Sequence, residues 1–132
     1  MPRETIPIGK ILLPPHYYPE QHELETAGTL ADIGYDIEFL RPSRTKGVHT
    51  PDIKMRGILW EIKSPTGNGK KTVEKQLQRA GRQSKNIVFD GRRSKLSDEY
   101  IEKELRRQYR LSQSIKRLVF IDKMNRCIDI KR

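Results

Sequence analysis

A short hairpin in the middle of the chain is the feature that most constrains its fold. Residues 52–55 and 58–63 have the composition of strands, and Arg56-Gly57 between them suits a two-residue turn. Directly opposed residues of a hairpin lie on the same face of the sheet, and this turn places Asp52 opposite Glu61. The hairpin therefore predicts a β-sheet that carries two neighbouring acids on one face. A three-residue loop would break this register.

The carboxylates of Asp52 and Glu61 would repel each other unless a cation lies between them. Lys63 lies two residues after Glu61 and so points to the same face of the strand. An acidic pair suits Mg²⁺, which polarises a phosphoryl group and lowers the pKa of a bound water, while a lysine stabilises charge on the phosphate. The pattern predicts a phosphodiester hydrolysis site. The alternative is an acid pair satisfied by Lys54, Lys63 and solvent, and the spacing alone leaves it open.

A further acid is predicted on the first helix, which is expected over residues 20–33. At about 100° per residue, Glu23 falls near Ala27 and Leu30 on the inward stripe, whereas Glu25 points away. An acid at the edge of an apolar stripe is explained if it faces the metal site. The alternative for Glu23 is a first-turn acid that the helix dipole favours.

The rest of the chain predicts a mixed α/β (α+β) fold, with a central mixed β-sheet flanked by helices in the order α-β-β-β-α-β-α-β-β. Residues 1–19 contain five prolines and are predicted to form an extended N-terminal arm. The remaining elements are a strand at 35–40, a helix at 72–82 with Val73, Leu77 and Ala80 inward, a strand at 86–90, a helix capped by Ser97 with Ile101, Leu105 and Tyr109 buried, and closing strands at 118–122 and 127–130.

Charge is divided unevenly along the chain, whose net charge is +10. Residues 1–66 hold 8 basic and 9 acidic residues, and residues 67–132 hold 19 and 8. A basic half predicts a polyanionic partner such as nucleic acid; the alternative is a solvated basic surface. The residues predicted to contact nucleic acid follow the predicted strands: Lys70, Lys71, Arg79, Arg82, Arg92, Arg93 and Lys95.

Composition argues against a disulfide-stabilised protein and against a membrane-spanning one. The single cysteine, Cys127, cannot form a disulfide within the chain, and no cysteine cluster suggests a zinc site. Apolar runs are far shorter than the ~20 residues that a membrane span needs.

The hairpin motif resembles a known superfamily. Pro51-Asp52, eight intervening residues and then Glu61-Ile62-Lys63 resemble the PD-(D/E)xK motif of restriction-endonuclease-like nucleases. The predicted α-β-β-β-α-β order of residues 20–90 is similar to that core. The resemblance implies that Asp52 and Glu61 bind a divalent metal, expected to be Mg²⁺ with Mn²⁺ or Zn²⁺ as alternatives, and that Lys63 is catalytic.

The same resemblance implies that Glu23 is the helix-borne acid, both catalytic and a metal ligand. It also places Gln76 where many members keep a polar residue near the site. It assigns residues 20–132 to the nuclease domain.

A more extended set of segments resembles the C-terminal toxin domains of contact-dependent growth inhibition (CdiA) proteins, particularly the tRNase type. These segments are His22–Ala27, Gly34–Leu40, Thr50–Ile53, Trp60–Pro65 and Ser84–Asp90. The resemblance implies a metal-dependent RNase with tRNA as the expected substrate, a cognate immunity protein as partner, and action in the cytoplasm of a target cell. The alternatives are a DNA endonuclease of repair, restriction or mobile-element type on the same fold, and a non-catalytic nucleic-acid-binding module.

Overall fold

The central hairpin forms in the predicted register. The computed structural model describes residues 8–131. Within it, Ile53, Lys54 and Met55 pair with Trp60, Leu59 and Ile58. Arg56 and Gly57 both have positive φ, 55° and 73°, as a two-residue turn with the twist of a hairpin requires.

The elements follow one another in the predicted order, with one addition. They are β1 (Ile11–Leu12), α1 (Gln21–Asp32), β2 (Ile37–Phe39), β3 (Ile53–Met55), β4 (Ile58–Lys63), α2 (Thr72–Gln83), β5 (Asn86–Asp90), α3 (Asp98–Leu111), β6 (Arg117–Ile121) and β7 (Cys127–Asp129). The strands form one seven-stranded sheet in chain order. Strands β4, β5 and β6 are parallel, and the hairpin pairs are antiparallel. The predicted mixed α+β class is confirmed.

Helix α1 covers one face of this sheet. Its buried residues Ala27 and Leu30 pack with Phe39, Trp60 and Ile62. Residue Ile33 is its C-cap, and Gly34 with a φ of 106° ends the helix as predicted. The exposed Glu25 and the inward stripe confirm the predicted phase of this helix.

Helices α2 and α3 cover the other face. Val73, Leu77 and Ala80 of α2 are buried as predicted, and so are Ile101, Leu105 and Tyr109 of α3. They pack on Ile87 and Phe89 of β5, which alternate with residues that face α1. The N-cap of α3 is Ser97, whose hydroxyl accepts from the Tyr100 N–H at 3.2 Å, as the sequence predicted.

The added element is β1, which lies within the predicted arm and pairs parallel with β2. Gly9 makes this pairing possible, because a Cβ at this position would lie 1.9 Å from the Tyr35 carbonyl oxygen. A two-residue strand among prolines has no detectable alternation, so the sequence did not predict it. Residues 1–7 of the arm lie outside the described residues. No helix among residues 8–131 is long and apolar enough to cross a bilayer.

Candidate active site

Asp52 lies immediately before β3, at the end of the sheet where β4 finishes. Its backbone N–H donates to the Trp60 carbonyl at 3.0 Å, and its Oδ2 accepts from the Ile62 N–H at 2.7 Å. The pKa of Asp52 is raised to about 6, chiefly by burial; the Ile62 bond opposes this rise, and the charges of Glu61 and Glu23 add to it. Asp52 is therefore an acid whose charge the surrounding protein disfavours.

Glu61 is the buried partner of this acid, with 4% of its surface exposed. Its Oε1 lies 2.9 Å from His49 Nε2, and its Oε2 lies 3.5 Å from Lys63 Nζ. It points to the same sheet face as Lys63, whose side chain is 16% exposed and thus reachable from solvent. The structure brings Asp52, Glu61 and Lys63 together, as the hairpin register predicted.

Glu23 joins the pair from the first turn of α1. Its charge adds to the raised pKa of Asp52, after burial and the charge of Glu61. Glu23 Oε1 also accepts from the Glu20 N–H at 3.0 Å and so caps the helix. Tyr17 packs against the hydrophobic cluster beneath α1, and its pKa is raised by burial and then by the charges of Glu23 and Asp52.

His49, which lies at the end of the polar loop between β2 and β3, was not predicted as a site residue. A histidine three residues before the acidic motif was the only signal, and it has no periodic pattern to distinguish it from any loop residue. The structure places it in direct contact with Glu61.

A second cluster, built around the single acid Asp90, occupies the end of the neighbouring strand β5. Asp90 is 2% exposed, and its Oδ2 accepts from Thr26 Oγ1 at 2.6 Å. Arg92 donates to both carboxylate oxygens, through Nε at 3.0 Å and a terminal nitrogen at 2.7 Å. The other terminal nitrogen of Arg92 donates to Thr29 and Asn125. The pKa of Asp90 is lowered, because these bonds outweigh burial.

Arg92 was predicted to contact nucleic acid, but its guanidinium is committed within the protein by these bonds. The other predicted basic residues divide into two groups. Lys70, Lys71, Arg93 and Lys95 are exposed at the carboxyl ends of β4 and β5. The Lys95 N–H donates to the Gly67 carbonyl at 2.7 Å, which joins the two loops that carry them.

Arg79 and Arg82 lie away from the carboxyl ends of β4 and β5, because α2 runs back toward the beginning of β5. Ten residues separate Arg82 from the start of α2, a rise of about 15 Å. Arg82 lines a cavity of about 350 Å³ between α2 and α3. Gln76 is half-buried on α2, and its side chain has no hydrogen-bond partner among residues 8–131.

Comparison with known proteins identifies the family of the chain. The family described as contact-dependent growth inhibition CdiA C-terminal domain matches residues 49–126, a range that includes His49, Asp52, Glu61 and Lys63. The chain belongs to this family of CdiA C-terminal domains.

One solved structure is similar in fold, the CdiA-CT/CdiI toxin and immunity complex from Burkholderia pseudomallei. The TM-score is 0.69 with 22% identity, over 94% of this chain and 100% of that chain. No curated protein matches the chain.

Proposed function

We propose that this CdiA C-terminal domain is a metal-dependent endonuclease of the PD-(D/E)xK type that hydrolyses phosphodiester bonds in RNA, with tRNA as its substrate. The observation that carries the proposal is the arrangement of Asp52 and Glu61 beside Lys63. A carboxyl group whose pKa is raised by burial and by neighbouring acids, together with a reachable lysine, suits a cation and a phosphate.

The residues present fit a hard divalent ion in donor chemistry. Asp52 and Glu61 supply carboxylate oxygens, and Glu23 adds negative charge. A positive ion would offset both the burial of the Asp52 charge, which is the main cause of its raised pKa, and the smaller repulsion from Glu61 and Glu23. As the side chains stand, no three acidic, histidine or cysteine residues in the described part of the chain converge on one point. Asp52 and Glu61 would therefore hold the ion, with Glu23 as an outer ligand. When bound, Mg²⁺ would polarise the phosphoryl group and acidify a water.

Lys63 performs the remaining charge stabilisation. Its Nζ lies 3.5 Å from Glu61 Oε2, so the carboxylate fixes the ammonium group at the end of β4. From there it donates to a phosphate oxygen and stabilises the charge that develops as the bond to the leaving oxygen breaks. Lys70, Lys71, Arg93 and Lys95 extend this positive field at the same end of the sheet, where a polyanion binds by releasing counterions.

Family membership supports a role as the toxin of a contact-dependent growth inhibition system that acts in the cytoplasm of a target cell. The similar chain belongs to a toxin and immunity complex, which supports a cognate immunity protein as a partner.

The direct test incubates the protein with total RNA and, separately, with plasmid DNA, each with Mg²⁺ and with chelator. The Glu61→Gln protein, purified in parallel, controls for contaminating nucleases. We expect Mg²⁺-dependent cleavage of tRNA by the wild-type protein alone. Plasmid cleavage in place of RNA cleavage would assign the site to a DNA endonuclease, and equal cleavage by Glu61→Gln would remove the site assignment.

A further inference from the structure

The loop between β2 and β3, residues 41–50, borders the candidate site on the side away from Lys70 and Lys95. Strand β2 is parallel to β4, because both pair antiparallel with β3. The loop therefore leaves the same end of the sheet as Lys63. Residues 41–49 are all exposed.

This β2–β3 loop is held mainly by bonds within itself. The Ser43 N–H donates to Thr50 Oγ1 at 2.9 Å, and the Val48 N–H donates to the Thr45 carbonyl at 3.2 Å. Among residues 8–131, no hydrogen bond or ion pair joins residues 42–48 to any residue outside the loop 41–50. The loop is thus a separate small turn whose free side chains face solvent.

The loop is positively charged. Between Phe39 and Asp52 the chain has three basic residues, Arg41, Arg44 and Lys46, and no acidic one. Arg41 donates to the Pro15 carbonyl, whereas the other two have no partner in the described part of the chain. Unpaired cations beside a buried acidic pair provide the field that a polyanion needs to approach it.

His49 attaches this loop to the site. Its Nε2 lies 2.9 Å from Glu61 Oε1, and it is the loop's one described contact with the acidic pair. Lys46 lies three residues earlier, so its Cα is at most about 11 Å from that of His49. The Thr45–Val48 hydrogen bond folds the segment into a turn and shortens this distance further.

We propose that the β2–β3 loop is a second phosphate-binding element for the RNA substrate, in which Arg44 and Lys46 contact the backbone and His49 is the positioning residue that holds the loop on Glu61. The RNA then crosses the acidic pair between this loop and the loops that carry Lys70 and Lys95. The inference rests on the proposed RNase function and adds its substrate contacts.

The experiment measures binding of fluorescently labelled tRNA by anisotropy over a salt series, with chelator present so that the RNA stays intact. The test variant is Arg44→Ala/Lys46→Ala. The matched control is Lys103→Ala/Arg110→Ala, which removes the same charge from the exposed side of α3. We expect at least about a tenfold rise in Kd and a salt slope shallower by about 1.5 for the loop variant. The control should change the Kd far less.

Two further measurements distinguish a specific contact of the β2–β3 loop with tRNA from a nonspecific effect of net charge. Trypsin should cut after Arg44 and Lys46 in the free protein, and bound tRNA should protect these bonds. His49→Ala should speed tryptic cleavage of the free protein and raise the Kd for tRNA several-fold at unchanged Tm. His49→Gln, which keeps a hydrogen-bond donor, should restore part of the trypsin resistance and part of the affinity.

The possible failures are distinct. Loop and control variants with the same Kd and slope, beside a wild-type protein that binds and cleaves tRNA, would overturn the loop proposal and leave the nuclease intact. Equal trypsin sensitivity with and without tRNA would also overturn it. A wild-type protein that neither binds nor cleaves RNA would instead refute the proposed function.

Discussion

Two clusters that contain acids lie at the ends of the neighbouring strands β4 and β5, and the protein shifts the pKa values of Asp52 and Asp90 in opposite directions. At Asp90 the hydrogen bonds from Arg92 and Thr26 lower the pKa, so the ionised form is fully satisfied. At Asp52 burial and the adjacent acid Glu61 raise the pKa to about 6. The Asp90 cluster joins α1 to β5 and needs nothing further, whereas at Asp52 and Glu61 the proposed function places a cation. The difference is the one expected between a structural acid, Asp90, and the acid of the proposed site, Asp52.

The largest effect that this comparison predicts is on catalysis. Glu61→Gln should reduce tRNA cleavage by roughly 10³-fold or more, because it removes the charge of a proposed ligand. Asp90→Asn should change cleavage only as far as it changes the folded fraction. Rates from both variants, normalised to folded protein by circular dichroism, provide the check. A larger catalytic loss at Asp90 would reverse the roles of the two clusters.

For the free energy of unfolding, substitution of Asp90 should have a larger effect than substitution of Glu61. Asp90→Ala should lower the free energy of unfolding by about 3 kcal/mol, because it leaves the guanidinium of Arg92 without its partner and removes the bond to Thr26. Urea denaturation measures the change. Glu61→Gln should be neutral or stabilising in the absence of metal, and a comparable loss there would make Glu61 a structural acid as well.

Lys63→Met should lower turnover by about 10²-fold and leave Mg²⁺ affinity at or above that of the wild-type protein. The lysine is expected to stabilise charge in the transition state, and its own charge opposes a cation at Glu61. Calorimetric titration with Mg²⁺ beside single-turnover cleavage separates the two effects. Loss of metal binding together with rate would show that Lys63 only shapes the site.

A smaller effect concerns the pH dependence of stability. The folded-state pKa of Asp52, about 6, exceeds its ordinary 3.8, so its favourable contribution is complete below about pH 4 and lost as pH rises through 6. Asp52→Asn should therefore raise the free energy of unfolding by about 1–2 kcal/mol at pH 8, after allowance for partial exposure, and by nothing at pH 4. Denaturation at both pH values tests this, and an equal change at both would locate the effect elsewhere.

Local sequence determined most of the fold that positions the site. The two-residue turn at Arg56-Gly57 determines which residues of the hairpin lie opposite each other. It was therefore sufficient to predict that Asp52 lies near Glu61. Helical spacing likewise placed Glu23 inward. Each of these inferences used residues close in sequence, for which strand and helix geometry dictate direction.

Contacts between distant segments were not predictable in this way. The bonds of Asp90 to Thr26 and Arg92 depend on how α1 packs on β5, so Arg92 looked like any other residue of a basic run. The contact of His49 with Glu61 depends on the path of a loop without periodicity. The set of basic residues predicted to contact nucleic acid was also too broad. It included Arg82, which lies along α2, away from Lys63, and lines the cavity between α2 and α3.

The most direct measurement is a ¹³C NMR titration of the aspartate carboxyl groups, with and without Mg²⁺. We expect Asp52 to titrate near pH 6 in the free protein and at lower pH with Mg²⁺, while Asp90 titrates below its ordinary value in both. An Asp52 that titrates at its ordinary value, or that Mg²⁺ leaves unchanged, would contradict a cation site at Asp52 and Glu61.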